Sequence, residues 1–254
     1  MTTPAAADRY AIKAVASDKS KTPLRECMKK GVLPRFPFSM MISGRSGSGK
    51  TNVLINMLTN EHLLKGYFHY TIVFSPTAGK YDDSYKALGL PSESFRTDFT
   101  PDDLNTIIEN RKTLIDKKGI EWVTKNSRVL LIMDDVIASR DFLNSPEALK
   151  MFALLRHYQV AIIVLMQSYN KLPRALRVNA NATIVFPATQ SEVEVLLDEI
   201  TPAGLTKREF AKVIEHCTDG RYDFLYINNH ADPGQRIRKN LTGVIDINNY
   251  KKVG

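Results

Sequence analysis

Cysteine is nearly absent from this sequence. Two residues in 254, Cys27 and Cys217, are too few and too far apart for a disulfide framework or a cysteine-based zinc site. Long hydrophobic runs are missing as well: no apolar stretch approaches the ~20 residues of a membrane span, and the opening MTTPAAADRYAIK lacks the apolar core of a signal peptide. These absences lead to the expectation of a soluble, intracellular chain. Tryptophan is reduced to Trp122, expected to serve in packing rather than as a base-stacking platform. His157 has no second histidine or cysteine at ligand spacing, so a hydrogen-bonded structural role is expected of it rather than metal binding. Acidic residues are outnumbered, 27 against 35 lysines and arginines, and the formal net charge of +8 favours a polyanionic partner.

What is present suffices for one sizeable α/β core, with 43% hydrophobic residues. Residues 1–35 carry Arg9, Lys13, Lys19, Lys21, Arg25, Lys29, Lys30 and Arg35 against Asp8, Asp18 and Glu26. They read as a basic N-terminal arm, or as a solvated leader that wraps the domain. A single domain is expected over 36–245 and a short tail over 246–254. Six apolar runs of β type alternate with helical patterns: FSMMIS (38–43), YTIVF (70–74), RVLLIM (128–133), VAIIVLM (160–166), ATIVF (182–186) and DFLYI (223–227). Near-continuous apolar strands between helices imply an α/β fold whose mainly parallel sheet is covered on both faces. Thr100-Pro101 and Ser145-Pro146 mark helix starts, and Ser191 with Glu194 and Thr206 with Glu209 have capping-box spacing.

The strongest signal is local. Gly44-Arg45-Ser46-Gly47-Ser48-Gly49-Lys50-Thr51 satisfies G-x-x-x-x-G-K-[ST], follows an apolar strand and opens a helix with Val53, Leu54, Met57 and Leu58 on its apolar face. Its glycines let backbone N–H groups converge on phosphate oxygens at a helix N-terminus, where the dipole also favours negative charge. Lys50 is expected to reach the β and γ phosphates and Thr51 to ligate Mg2+.

The run VLLIMDDV ends a strand with Asp134 and Asp135. The first carboxylate of such a pair suits the magnesium shell, and the second can accept a proton from an attacking water. The next strand ends VLMQS, placing Gln167 where its amide could bridge the γ-phosphate and that water. This is the pattern of RecA-like P-loop NTPases, with an extra strand between the P-loop strand and the acidic strand. The core order expected for the runs is 5-1-4-3-2, the second run at one edge. A GTPase would carry N-K-x-D; YNKLP has Asn170 and Lys171 but Pro173 where the aspartate belongs, which leaves ATP as the expected nucleotide. A small-molecule kinase remains an alternative on the P-loop alone.

Taken together, the P-loop, LLIMDD, LLRHYQVAIIVLMQSYNKLP, VNANATIVF and YDFLYINN resemble the DNA-packaging ATPases of the FtsK-HerA superfamily, of the poxvirus, giant-virus and virophage type. The resemblance covers residues 36–245. It implies an ATP-hydrolysing motor, active as a homo-oligomeric ring, that translocates double-stranded viral DNA into a preformed capsid. The implied partners are DNA and capsid or vertex proteins, and the implied location is the viral assembly site or the virion. It also implies that Arg156 completes a neighbouring subunit's site, with Arg174 and Arg177 as alternates. An ATP-dependent capsid assembly switch that moves nothing is the other reading. One departure stands out: the superfamily often has glutamate second in the acidic pair, and the shorter Asp135 implies slow basal turnover. The late segment PGQRIRKNLTGV, with Arg236 and Arg238 expected on one face of a strand, would track phosphates or a capsid surface, or guard a strand edge.

Overall fold

The computed structural model describes residues 24–77, 83–135, 146 and 153–251. Its centre is a sheet of nine strands in the order β3-β2-β4-β5-β1-β6-β7-β8-β9. The strands are β1 (Ser39–Ser43), β2 (Tyr70–Phe74), β3 (Phe95–Arg96), β4 (Val129–Asp134), β5 (Val160–Met166), β6 (Ala182–Val185), β7 (Leu225–Asn228), β8 (Ile237–Lys239) and β9 (Gly243–Val244). From β3 to β6 every pairing is parallel, and β7 to β9 extend the sheet antiparallel.

In terms of the six apolar runs, the expected 5-1-4-3-2 order runs through this sheet, and β5 does intervene between β1 and β4. The detail differs at the margins. The second run is not an edge, because β3 pairs outside its last two residues, Val73 with Phe95 and Phe74 with Arg96. A two-residue strand carries no periodicity by which a sequence pattern could reveal it.

Alternation along the central strands explains why they read as continuous apolar runs. Met40, Ile42, Leu130, Ile132, Ala161, Ile163 and Leu165 face one layer, with Leu54 and Met57 of the helix Lys50–Thr59. Met41, Leu131, Met133, Ile162 and Val164 face the other, with Leu104 of helix Pro101–Lys118, Leu196 of helix Gln190–Ile200, and Phe210, Val213 and Cys217 of helix Lys207–Cys217. A parallel sheet with both faces covered needs apolar residues at odd and even positions alike.

Helix starts follow the sequence signals with one displacement. Thr100 and Thr206 form capping boxes with Asp103 and Glu209. The box expected at Ser191 and Glu194 forms two residues earlier, between Thr189 and Glu192. Glu192 is drawn there because its carboxylate also accepts the Tyr169 amide at 2.9 Å, a bond from another part of the chain. The start proposed at Ser145-Pro146 involves Ser145, outside the described residues.

Of the basic N-terminal segment, residues 1–23 lie outside the described residues. Cys27, Met28 and Leu33 are buried beside Phe36 and Phe38, and Arg25 donates to the carbonyls of Glu61 (2.9 Å) and Leu63 (3.2 Å). Near the other end, Asp246 caps the turn Ile247–Tyr250, whose Ile247 and Tyr250 pack against the core. Among the described residues, no helix is long and apolar enough to cross a membrane.

Candidate active site

Parallel pairing brings the carboxyl ends of three strands to one edge. Ser43 of β1 lies opposite Met166 of β5, and Leu165 of β5 opposite Asp134 of β4. The residues that follow therefore emerge side by side: the loop Gly44–Thr51, the pair Asp134-Asp135, and Gln167. Crevices outside the carboxyl ends of strands are where open α/β sheets bind ligands. Here Ser46, Lys50, Thr51, Asp134, Asp135 and Gln167 line a cleft of about 350 Å³, joined by Thr77 and Tyr222.

Close packing shapes the loop. A Cβ on Gly44 would lie 2.6 Å from Ser48 Oγ and 2.7 Å from Phe186 Cβ, so only glycine fits. Gly49 has φ 104° and caps the helix Lys50–Thr59, a conformation side chains with a Cβ rarely adopt. That helix has no side-chain cap and no acidic residue in its first turn. Its leading N–H groups and dipole are thus available to an anion. The Ser48 hydroxyl is buried with no partner among the described residues.

Lys50 Nζ donates to the carbonyls of Gly44 (2.6 Å) and Arg45 (3.0 Å). Burial lowers its pKa below the ordinary lysine value, and the carboxylates of Asp135 and Asp134 oppose that shift. Asp134 is 8% exposed, and Tyr85 Oη donates to its Oδ2 at 2.7 Å. Asp135 is exposed and has φ 52°, a left-handed backbone that aspartate tolerates better than most residues. Gln167 Nε2 donates to Asp135 Oδ2 at 3.1 Å, so the carboxylate and the amide meet across adjacent strands.

The oxygen donors present fit a magnesium ion. Thr51 and Asp134 line one cleft, and Mg2+ characteristically takes one or two protein oxygens with substrate phosphates and waters completing its shell. Among the described residues there is no group of three or more His, Cys, Asp or Glu side chains that would hold a metal unaided.

The loop after Gln167 is tied down from behind. Glu192 accepts the Tyr169 amide, and also the Thr189 amide and hydroxyl, each at 2.8 Å. Burial works against its ionisation, but the bonds from Thr189, Ser168 and Tyr169 outweigh it and hold the carboxyl below its ordinary pKa. Arg177 grips Glu199 with Nε at 2.9 Å and Nη2 at 2.5 Å, Tyr169 Oη adds a bond at 3.2 Å, and Arg177 Nη1 donates to Leu172 O. Arg174 is exposed and reaches Glu199 only at 3.7 Å.

Arg156 is not brought to this cleft. It is exposed in the turn Leu155–Tyr158 that leads into the amino end of β5, so it sits at the opposite edge of the sheet from the P-loop. Arg111 holds that turn through Tyr158 O (3.0 Å) and Gln159 O (3.4 Å). Nearby, His230 has its pKa lowered by burial and further by the charges of Arg35 and Arg156.

His157 is exposed, and Trp122 is 43% exposed with the Lys118 ammonium 5.7 Å from its ring centre. Two expectations for the segment 233–244 need correction. Arg236 and Arg238 do not share a face: Arg236 precedes β8 in helical conformation, whereas Arg238 is buried and donates to the carbonyls of Gln235 and Lys30. Nor does β8 guard an edge, since β9 covers it. Conversely, Tyr85, Thr77 and Tyr222 belong to the site without any local signal in the sequence. Tyr85 is 49 residues from the carboxylate it serves.

Residues 26–237 match the family model described as Poxvirus A32 protein. The DNA packaging protein OPG160 of Variola virus is 28% identical over 186 residues, covering 69% of this chain and 62% of that protein. The OPG160 protein of Vaccinia virus strain Copenhagen gives the same identity and coverage. The chain thus spans 62% of the length of these curated relatives. The uncharacterized protein 075L of Invertebrate iridescent virus 6 is 24% identical over 196 residues, 76% of this chain and 70% of that one. Among solved structures, B204, the DNA-packaging ATPase of Sulfolobus turreted icosahedral virus, superposes with a TM-score of 0.52 at 15% identity, over 81% of this chain and 98% of its own. The genome packaging NTPase B204 of Sulfolobus turreted icosahedral virus 2, in complex with AMP, gives 0.51 at 16%, over 80% and 96%. At such identities the likeness is one of fold.

Proposed function

Because the chain belongs to the Poxvirus A32 protein family, we propose that it is an ATP-hydrolysing motor that translocates double-stranded viral DNA into a capsid, working as a homo-oligomeric ring. The observation that carries the reading is the convergence of Lys50, Asp134, Asp135 and Gln167 on one cleft at the carboxyl edge of three adjacent strands.

In this reading the loop Gly44–Thr51 wraps the phosphates. Lys50 exchanges the carbonyls of Gly44 and Arg45 for β and γ oxygens, which are stronger acceptors for an ammonium. Thr51 and Asp134 hold Mg2+, which supplies charge neutralisation at the phosphates when bound, and Tyr85 fixes the Asp134 carboxylate by its hydrogen bond. Asp135 takes the proton of the attacking water as the water oxygen bonds to the γ phosphorus and the bond to the β–γ bridging oxygen breaks. Gln167, hydrogen-bonded to Asp135, aligns that water. Asp135 is a methylene shorter than glutamate, so basal turnover is slow.

Arg156 lies across the sheet from its own P-loop and serves a neighbouring subunit, an effect worth about 10³–10⁵ in rate where an arginine acts in trans. The excess of positive charge, +8 overall, suits contact with the DNA backbone rather than with base edges. Capsid or vertex proteins are the further partners, and the viral assembly site is where the motor acts.

The test is ATP hydrolysis by the purified chain with and without long double-stranded DNA, at low and moderate salt, beside Lys50→Ala. Slow basal hydrolysis, salt-sensitive stimulation by DNA and loss of both in Lys50→Ala are expected. Hydrolysis that ignores DNA would remove the translocase reading and favour an assembly switch.

A further inference from the structure

A second cavity, of about 490 Å³, adjoins the phosphate cleft and shares Gly49, Asn52 and Tyr222 with it. Its size falls within the ~300–1,000 Å³ of small-molecule sites. Its floor is aromatic: Phe186 and Phe224 are buried with ring centres 5.2 Å apart. Tyr222 stands beside them with 55% of its surface exposed, much for so large a ring, and the Arg221 guanidinium lies 5.1 Å from its centre. A Cβ on Gly49 would sit 3.5 Å from the Tyr222 ring and 3.6 Å from the Phe186 ring, so both rings face the last loop glycine. Polar groups are few. Asn52 and Asn56 offer exposed amides one helical turn apart, and Asn56 Nδ2 donates to Asn52 O at 2.8 Å. The remaining wall comes from Val53 and from Asn240, Leu241 and Thr242 in the turn between β8 and β9. That turn is anchored by Asn240, whose amide donates to Asp223 (2.9 Å) and accepts from the Phe224 N–H (3.2 Å).

The cleft has a direction. Lys50 with Asp134, Asp135 and Gln167 marks the β and γ end, since the P-loop lysine reaches those phosphates while the backbone cradles α and β. The α-phosphate and its ester to a nucleoside then lie toward the shared residues Asn52 and Tyr222, at the mouth of the second cavity. An apolar, aromatic cavity at that mouth, with a side-chain amide able both to donate and to accept, matches a purine base.

We propose that this cavity is the nucleoside subsite, with the base stacked on Tyr222, the Asn52 amide at its polar edge, and the turn at Leu241-Thr242 closing it. The proposal rests on the reading that the cleft binds a nucleoside triphosphate. It gives the antiparallel extension β7 to β9 a part in ligand binding that a mere sheet cover would not have.

Titration calorimetry of the full chain with Mg-ATP, Mg-ADP and inorganic tripolyphosphate tests it. Tyr222→Ala should weaken ATP and ADP about 5- to 150-fold more than it weakens tripolyphosphate, the excess being the effect of removing one base-stacking ring. Tyr222→Phe should restore nucleotide affinity, and Thr242→Trp, which fills the cavity, should weaken only the nucleotides. Equal weakening of ATP and tripolyphosphate in Tyr222→Ala, or no weakening of either, overturns the proposal. An unmodified chain that binds neither ATP nor tripolyphosphate overturns the phosphate-cleft reading and this one with it, and is distinguishable by that pattern.

Discussion

Replacing Arg177 with alanine tests whether this arginine belongs to the fold or is free to act on a neighbour. Its side chain is 9% exposed and that of Glu199 5%, and two guanidinium nitrogens engage the two carboxylate oxygens at 2.9 and 2.5 Å. The guanidinium carbon also lies 5.1 Å from the centre of the Tyr169 ring. Hydrogen bonding to Glu199 raises the arginine pKa against the opposing effect of burial. Removing the arginine leaves a buried carboxylate with the Tyr169 hydroxyl and only the exposed Arg174, 3.7 Å away, at a cost of about 3–5 kcal/mol. At about 2–4 °C per kcal/mol for a domain of this size, Tm should fall by roughly 6–20 °C. Arg174→Ala removes an exposed contact and should cost no more than about 1 kcal/mol. The assay is urea and thermal unfolding of both variants and of the double replacement Arg177→Met with Glu199→Leu, which should recover most of the loss because an apolar pair avoids the uncompensated charge. A loss under about 1 kcal/mol for Arg177→Ala, or a double variant worse than the single, would refute the reasoning. The expected result would also remove Arg177 as the arginine acting in trans, since swinging out would strand Glu199.

Two further outcomes follow from the site. Tyr85→Phe deletes a hydrogen bond to a nearly buried carboxylate, worth about 1.5–3 kcal/mol. It should lower ATP hydrolysis by up to roughly 10- to 150-fold and raise the Mg2+ concentration needed for half-maximal rate; an unchanged Mg2+ dependence would show that Tyr85 does not position Asp134. Glu192, whose folded pKa is depressed below its ordinary 4.5, stabilises the fold fully above that value, and its contribution is lost as pH falls through the lower folded pKa. Glu192→Gln should therefore reduce stability at neutral pH and flatten the acid limb of the unfolding midpoint between pH 7 and about 3, and parallel curves would contradict it.

The sequence by itself determined the parts whose chemistry is local. A P-loop needs its glycines, lysine and threonine at fixed spacing, so Gly44–Thr51 is legible as a string. Apolar runs that end in Asp134 or lead directly into Gln167 deliver those polar side chains to the cleft, and alternation to two covered faces explains why the runs are continuous. The core order was legible only through the likeness of those strand ends to RecA-like P-loop NTPases, and that likeness did not show β3 beyond the second run. Tertiary structure decided everything that depends on which distant segments meet. The hydroxyl on Asp134 comes from Tyr85, the partner of Arg177 is Glu199 on another helix, and the capping box forms at Thr189 because the Tyr169 amide reaches Glu192. Arg236 and Arg238 part company because one precedes the strand and the other turns inward onto carbonyls. A residue's charge and size are written in the sequence, but its neighbours and its solvent are set only when the sheet closes around it, and these determine whether an arginine pairs, braces or stays free.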